Sequence, residues 1–172
     1  MFLPMDIINL ILSFLKEFEL LEWIKMESLK WCGLSENPNA IHLLEQNLSK
    51  IDWFGLSSNP AAIYLLEHNK DKIDWECLSL NPVAIHLLEQ NPSKINWDCL
   101  SVNPFAINLL EQNPDKIDWY YLSQNPNAIH LLELEKIDWE YLSLNSAAIH
   151  LLKQNFEKID WVYLSLNSAA IH

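Results

Sequence analysis

A tryptophan-led block of 22 residues recurs along most of this chain and restricts its fold more than any other feature. Successive blocks begin 22 residues apart, apart from one interval of 20, at Trp31, Trp53, Trp75, Trp97, Trp119, Trp139 and Trp161. The shared pattern is W-x-x-L-S-x-N-P-x-A-I-x-L-L-E-Q-N-x-x-K-I-D. A fixed period of this size is typical of stacked arrays, in which each unit packs against its neighbours. Residues 31–172 are therefore predicted to form six complete repeats and a truncated seventh.

The start of each block predicts a short first helix. In the second block, Asp52 is placed as the N-cap, and Ile51 is placed to pack against Leu56 one turn into the helix. The helix is expected to end near Asn59, because Pro60 cannot continue the hydrogen-bond ladder and disfavours the α conformation in the residue before it.

The second half of the block predicts another helix. Asn81 is a good N-cap, and Pro82 suits the first helical position, where its missing N–H is not needed. About ten helical residues are expected before the run stops at Asn91, a residue type that tolerates a left-handed turn.

Helices this short are not stable alone in water, so their stability must come from neighbouring repeats. The predicted fold is an all-α solenoid of short helical hairpins, preceded by an N-terminal helical cap in residues 1–30. The expected core of the repeats includes Trp53, Leu56, Trp75, Leu78, Trp97, Leu100, Trp119 and Leu122.

Composition limits the classes of partner. The formal net charge is −12, spread over every repeat, and all eleven basic residues are lysine. An acidic chain without arginine is a poor match for nucleic acid, so no nucleic-acid partner is expected. Cys77 and Cys99 share one register in adjacent repeats, roughly 8–10 Å apart and beyond disulfide reach, which favours a reducing compartment.

Repetition also argues against catalysis and metal binding. Five histidines share one register, but stacked helices would place them roughly 9–10 Å apart, too far for shared ligation; they are His42, His86, His130, His150 and His172. No nucleophile elbow, phosphate loop or zinc motif occurs in the sequence. We expect no enzymatic activity, metal or cofactor.

Positions that vary between repeats are the expected partner-binding surface. Aromatic and apolar side chains at such positions can act as interface anchors; the predicted set is Phe54, Tyr64, Val83, Phe105 and Tyr120. Scattered exposed apolar residues are also normal on soluble proteins, so this alternative stays open.

The position before the first-helix leucine grows along the chain, from Gly33 and Gly55 through Cys77 and Cys99 to tyrosine in the last three repeats. Either this side chain packs between repeats and changes their spacing, or it is exposed and its residue type varies without structural effect. The repeat that begins at Trp119 lacks two residues near Leu134, which predicts a tighter turn.

The N-terminus carries a resemblance of its own. An LP start, an acidic-apolar pair, the run I-L-S-F-L and a closing Trp31 resemble an F-box. The resemblance implies docking to the Skp-family adaptor of a cullin ubiquitin ligase through Leu3, Pro4, Ile7, Ile8, Ile11, Leu12 and Leu15. The alternative is that the helical spacing of these residues only caps the first repeat. The segment has no basic n-region and is too short to span a bilayer, so no membrane association is expected.

Residues 31–172 also resemble tandem K-I-D-W-x-x-L-S-x-N-P-x-A-I-x-L-L-E arrays of giant DNA viruses, which look like interaction scaffolds. We therefore expect an intracellular protein-binding scaffold, in the host cytoplasm if the chain is viral, that acts as a ligase substrate receptor if the F-box functions. The alternative is a structural or assembly component of a virus particle. The last repeat lacks a polar cap, so end-to-end self-association is a further expectation.

Overall fold

The protein is described by a computed structural model for residues 25–170, and every regular element in that range is helical, with no strand. The all-α solenoid predicted from the repeat is confirmed. The chain divides into two compact units, residues 1–73 and 74–172.

Each repeat begins with a first helix, usually of six residues, and most continue with a second helix of five or six residues. The first helices are α1 (Trp31–Glu36), α3 (Trp53–Ser58), α5 (Trp75–Leu80), α7 (Trp97–Val102), α9 (Trp119–Gln124), α10 (Trp139–Leu144) and α12 (Trp161–Leu164). The second helices are α2 (Ile41–Glu45), α4 (Ile63–His68), α6 (Ile85–Glu89), α8 (Ile107–Glu111) and α11 (Ile149–Gln154).

Short 3₁₀ helices join these elements. They are Met26–Ser28, Pro38–Ala40, Leu48–Lys50, Lys70–Lys72, Pro92–Lys94, Pro114–Lys116, Ile129–Leu131, Ser146–Ala148, Phe156–Lys158 and Ser168–Ala170.

The first helices begin and end where local chemistry predicts. The Asp52 side chain accepts a hydrogen bond from the backbone N–H of Phe54, and Asp118 does the same for Tyr121. Asn59 is extended, with φ −75° and ψ 117°, so α3 stops before the proline. The N-cap at Asp52 and the helix end near Asn59 are both confirmed.

The second helices are shorter than predicted. Asn81 accepts a hydrogen bond from the backbone N–H of Val83 at 3.2 Å, and this contact holds a turn before the helix. Ala84 then has φ −93° and ψ 7°, outside regular helical geometry, and α6 runs for only five residues instead of about ten. Asn81 thus makes the N-cap contact that was expected, but the turn that it caps is interrupted at Ala84 before the regular helix begins.

The end of the second helix also differs from the expectation. Asn91 has φ −134° rather than a left-handed conformation, and no residue in the described range 25–170 has a positive φ. Its side-chain N–H donates to the carbonyl of Leu87 at 2.8 Å, which satisfies a helix-end acceptor without a reversal of φ.

Leucine side chains form the core of each unit. In the first unit α1 packs on α3, and Leu44, Leu56 and Leu66 are fully buried. In the second unit α5, α7, α9, α10 and α12 pack in chain order. Four leucines at the same position of consecutive first helices are completely buried there: Leu78, Leu100, Leu122 and Leu142.

The tryptophans of the expected core, Trp53, Trp75, Trp97 and Trp119, are half-buried rather than fully buried. A lysine from the end of the same repeat covers some of these rings. Lys72 Nζ lies 5.1 Å from the Trp53 ring centroid, and Lys136 Nζ lies 4.6 Å from that of Trp119. This cation–π packing stabilises tryptophan rings that are only partly buried.

The shortened repeat has a tighter turn, as predicted. A 3₁₀ helix, Ile129–Leu131, replaces the second α-helix, and a turn closed by the Lys136 N–H to the Glu133 carbonyl follows at 2.8 Å. Ile129 and Leu132 still pack on a core that contains Leu142. Within residues 25–170, no helix is long and apolar enough to cross a membrane.

Candidate protein-interaction face

A buried row of serine and asparagine side chains links consecutive first helices. The Ser101 hydroxyl donates to the Trp97 carbonyl at 2.8 Å and accepts from the backbone N–H of Asp118 at 3.0 Å. The side-chain N–H of Asn125 donates to the carbonyls of Ser101 and Asn103, both at 3.0 Å. Each asparagine thus joins its own repeat to the preceding one.

We call this row the asparagine–serine ladder. It comprises Ser35 and Asn59 in the first unit and Ser79, Ser101, Ser123, Ser143, Asn103, Asn125, Asn145 and Asn167 in the second. All of these side chains are buried, and within residues 25–170 no buried side-chain nitrogen or oxygen lacks a hydrogen bond. The ladder therefore fixes the register of the first helices and the surface that they present.

Tyrosine side chains project from consecutive first helices in the second unit. The ring centroids of Tyr120 and Tyr141 are 4.2 Å apart, and those of Tyr141 and Tyr163 are 5.6 Å apart. Tyr121 packs edge-on against Tyr120 at 5.0 Å, and the Tyr120 hydroxyl donates to the Tyr141 hydroxyl. We call these four residues the tyrosine face.

An apolar depression of about 170 Å³ lies beside the tyrosine face. Residues from α7, α9 and α10 line it together with Tyr141; they are Val102, Gln124, Leu144 and Asn145, the last directly after α10. Val102, Gln124 and Leu144 are equivalent positions of consecutive repeats, so the depression runs across the stack rather than along one helix. Tyr120 and Leu144 remain 40% and 38% exposed, which leaves apolar area open to a partner.

Carboxylates border the tyrosine face. The hydrogen bond to Tyr141 raises the pKa of Tyr120 to about 12, with a smaller contribution from Asp138. The pKa of Tyr163 is raised as well, first by the neighbouring Tyr141 and then by loss of hydration and the charges of Glu140 and Asp160. Tyr120 and Tyr163 are therefore neutral hydrogen-bonding groups at neutral pH, with carboxylates beside them.

Two cysteines occupy the tyrosine position in earlier repeats. Cys77 is buried, and this burial, aided by Asp74, raises its pKa to about 12. Cys99 is half-buried, and its pKa is also raised by burial and by the carboxylates of Glu76 and Asp98. Both thiols are free, and neither has the lowered pKa of a reactive nucleophile.

The five residues predicted for partner binding do not form one surface in the structure. Tyr120 lies in the tyrosine face, whereas Val83 and Phe105 are exposed on the turns before α6 and α8. Phe54 and Tyr64 are exposed in the first unit, at 61% and 64%. The sequence did not single out the other three tyrosines as a surface, because their shared position fitted packing between repeats equally well.

The N-terminal prediction cannot be placed on this structure. Its residues, Leu3, Pro4, Ile7, Ile8, Ile11, Leu12 and Leu15, lie outside the described range. The four described histidines of the shared register are exposed: His42, His86, His130 and His150. Within residues 25–170, no group of three or more histidine, cysteine, aspartate or glutamate side chains is arranged to hold a metal ion.

A second apolar site lies at the last repeat. A cavity of about 290 Å³ is lined mainly by apolar side chains from α11 onwards, among them Leu152, Phe156, Trp161 and Leu164. Phe156 and Trp161 pack edge to face at 5.1 Å, yet they remain 64% and 56% exposed.

These features define a helical repeat protein held together by buried first-helix leucines and by the asparagine–serine ladder. No protein-family model matches the chain, and no curated protein or solved structure was found to match it.

Proposed function

We propose that this chain is a non-enzymatic scaffold that binds another protein through the tyrosine face. One observation carries the proposal: four tyrosines and an adjoining apolar depression form a continuous surface across four first helices, α7, α9, α10 and α12. Tyrosine is enriched at interfaces because one large ring supplies apolar area and a hydroxyl with little loss of conformational entropy.

The scaffold under this surface supports the same reading. The asparagine–serine ladder holds the backbones of α7, α9 and α10 together through buried hydrogen bonds. A surface held in one geometry loses less entropy when a partner binds than a flexible loop would.

A displayed random-peptide library tests this proposal. Peptides enriched on the intact protein should lose binding to a Tyr141→Ser/Leu144→Ser double variant. A Leu134→Ser variant is the matched control, because it also removes an exposed apolar side chain of the second unit and lies outside the predicted partner-binding set. Enrichment of no peptide, or equal loss in both variants, would count against the tyrosine face as the binding site.

Adaptor docking is a separate proposal that rests on the F-box resemblance of residues 1–30. If it holds, the scaffold acts as a ligase substrate receptor, and the high local concentration of target and ligase is the mechanism. The test is capture of a purified Skp-family adaptor by the full chain, compared with a Leu3→Asp/Pro4→Ala variant of unchanged helicity. Equal capture by both proteins would reject the proposed contact.

The second candidate function is a structural or assembly component of a virus particle. The apolar cavity at the last repeat favours it, because Phe156 and Trp161 offer a surface for self-association. Light scattering should then show assemblies that disappear in a Phe156→Lys variant. A monomer at all concentrations would leave the scaffold proposal as the better reading.

A further inference from the structure

We infer that the tyrosine face takes a basic segment of a partner protein in the polyproline II conformation, with a lysine or arginine at about every third residue. This inference rests on the proposed function and adds the chemistry of the partner.

Exposed carboxylates occur directly before the tyrosine position in several first helices of the second unit. Residues that directly follow the first-helix tryptophan include Glu76, Asp98 and Glu140, one carboxylate in each of three repeats of the second unit. All three side chains are exposed. Within residues 25–170, Asp98 and Glu140 form no salt bridge, so these charges are available to a cation from a partner.

Within residues 25–170, no salt bridge joins a lysine to Glu76, Asp98 or Glu140. Lys136 lies over the Trp119 ring and pairs with Glu133 at 2.8 Å. Lys158 lies over the Trp139 ring, with its Nζ 4.8 Å from the centroid. The chain supplies no arginine. A positive partner is thus favoured by the field, whereas a nucleic acid would be repelled.

Ionisable groups along the face report the same field. Burial raises the pKa of Cys99 most, and Glu76 and Asp98 raise it further. At the other end, Glu140 and Asp160 add to the effect of Tyr141 on the pKa of Tyr163. Carboxylates therefore act on ionisable groups at both Cys99 of α7 and Tyr163 of α12.

The spacing of the repeats determines the spacing of the partner. Packed helices lie about 8–10 Å apart, and a polyproline II segment covers about 9 Å in its three-residue turn, which returns every third side chain to the same face. A basic residue at every third position therefore meets one first helix at a time. The position after the tryptophan offers a carboxylate at Glu76, Asp98 and Glu140, and an uncharged residue at Tyr120 and Val162. The residues between them face the tyrosine rings and the depression beside Leu144, which suit apolar side chains, and a cation close to a ring gains cation–π attraction.

The test uses fluorescence anisotropy with the full chain and three synthetic peptides. The first repeats the triplet Lys-Leu-Ser, and the others replace each lysine by serine or by glutamate. We expect the lysine peptide to bind about tenfold more tightly than the serine peptide, and the glutamate peptide not to bind. Raising the salt from about 0.1 M to about 1 M, which shortens the screening length from about 10 Å to about 3 Å, should remove most of that advantage.

Matched charge reversals locate the binding. An Asp98→Lys/Glu140→Lys variant should lose the preference for the lysine peptide. An Asp115→Lys/Glu157→Lys variant has the same net charge, with both changes in 3₁₀ segments, and should keep it. Equal loss in both variants would mean nonspecific attraction to an acidic chain and would overturn the inference.

The outcomes also separate this inference from the proposed function. If the serine peptide binds as tightly as the lysine peptide, and Tyr141→Ser/Leu144→Ser abolishes both, the face binds protein but the basic partner is wrong. If neither peptide binds while the library yields face-dependent peptides of another composition, the inference fails and the scaffold stands. If the library also yields none, both fail.

Discussion

Replacing Asn125 by alanine should destabilise the second unit by about 2–4 kcal/mol, because this buried side chain satisfies three backbone groups. Its amide N–H donates to the carbonyls of Ser101 and Asn103, and its oxygen accepts from the backbone N–H of Asn127. Alanine leaves the Ser101 carbonyl and the Asn127 N–H without these hydrogen bonds. The Asn103 carbonyl keeps a second hydrogen bond from the N–H of Ala106, so its loss contributes least.

The matched control is Asn127→Ala. This asparagine lies two residues away and is exposed, and its side chain donates one hydrogen bond, to the Pro104 carbonyl at 2.9 Å. A surface hydrogen bond of this kind contributes about 1 kcal/mol or less. The two variants therefore remove the same chemical group from a buried and an exposed site.

Urea unfolding followed by both tryptophan fluorescence and far-UV circular dichroism measures the difference. Two probes are needed because a repeat protein can unfold in stages, and only coincident transitions allow a single free energy. If Asn125→Ala costs no more than Asn127→Ala, the asparagine–serine ladder does not hold the repeats together, and the argument is wrong.

An Asn125→Asp variant sharpens the test. Aspartate keeps the acceptor for the Asn127 N–H but loses both donors and brings a negative charge toward two carbonyls. Burial should raise the pKa of this carboxyl in the folded state, so stability is greatest at low pH and is lost as pH rises through the folded-state pKa. A pH-independent stability difference from the parent protein would contradict this.

Three further predictions address other parts of the fold. Tyr141→Phe removes the hydroxyl that accepts from Tyr120, so the pKa of Tyr120 should fall from about 12 toward 10.0. Tyrosinate absorbance in a pH titration measures this pKa, and an unchanged midpoint would refute the hydrogen bond as its cause. Cys77, buried and with a raised pKa, should be alkylated by iodoacetamide much more slowly than the exposed Cys32, and mass spectrometry of timed samples would reveal the reverse order. Gly33→Ala should stabilise the protein by about 0.5–1 kcal/mol in thermal unfolding, because a helical glycine is replaced and nothing lies within 4 Å of the new methyl group; a lower melting temperature would argue against a helix there.

Local patterns predicted the first helices well because each boundary depends on residues close in sequence. Asp52 caps a helix that begins one residue later, and the Asn59–Pro60 pair ends it. The second helices were predicted too long because the turn that begins at Asn81 does not continue directly as α-helix. Ala84 has ψ 7°, so α6 begins only at Ile85, and the Asn-Pro pattern carries no sign of that break.

The candidate site was only partly predictable. Tyr120 was expected to be exposed at a variable position, and it is. The increase in side-chain size from Gly33 to Tyr163 was visible in the sequence, but the sequence of a six-residue helix does not show which of its sides meets the next repeat. The asparagine–serine ladder had a signal that was missed: serine and asparagine recur in every repeat at positions where a solvent-facing residue would have been free to vary.

The asparagine–serine ladder has a consequence for how such a chain can change in length. Within each unit, a repeat brings its own donor, such as Asn145, to the carbonyl of the serine in the preceding repeat, here Ser123, and its own serine accepts from the next repeat. The hydrogen bonds that join consecutive repeats therefore use residues from the first half of the 22-residue block and the N-cap residue that precedes the next one. The repeat that lost two residues lost them after Leu132, in its other half, and its joints on both sides are intact. Insertions and deletions in that half change the surface of a repeat and leave the asparagine–serine ladder intact. Whole repeats can also be added or removed, because each new contact between repeats would use the same residues as the old one.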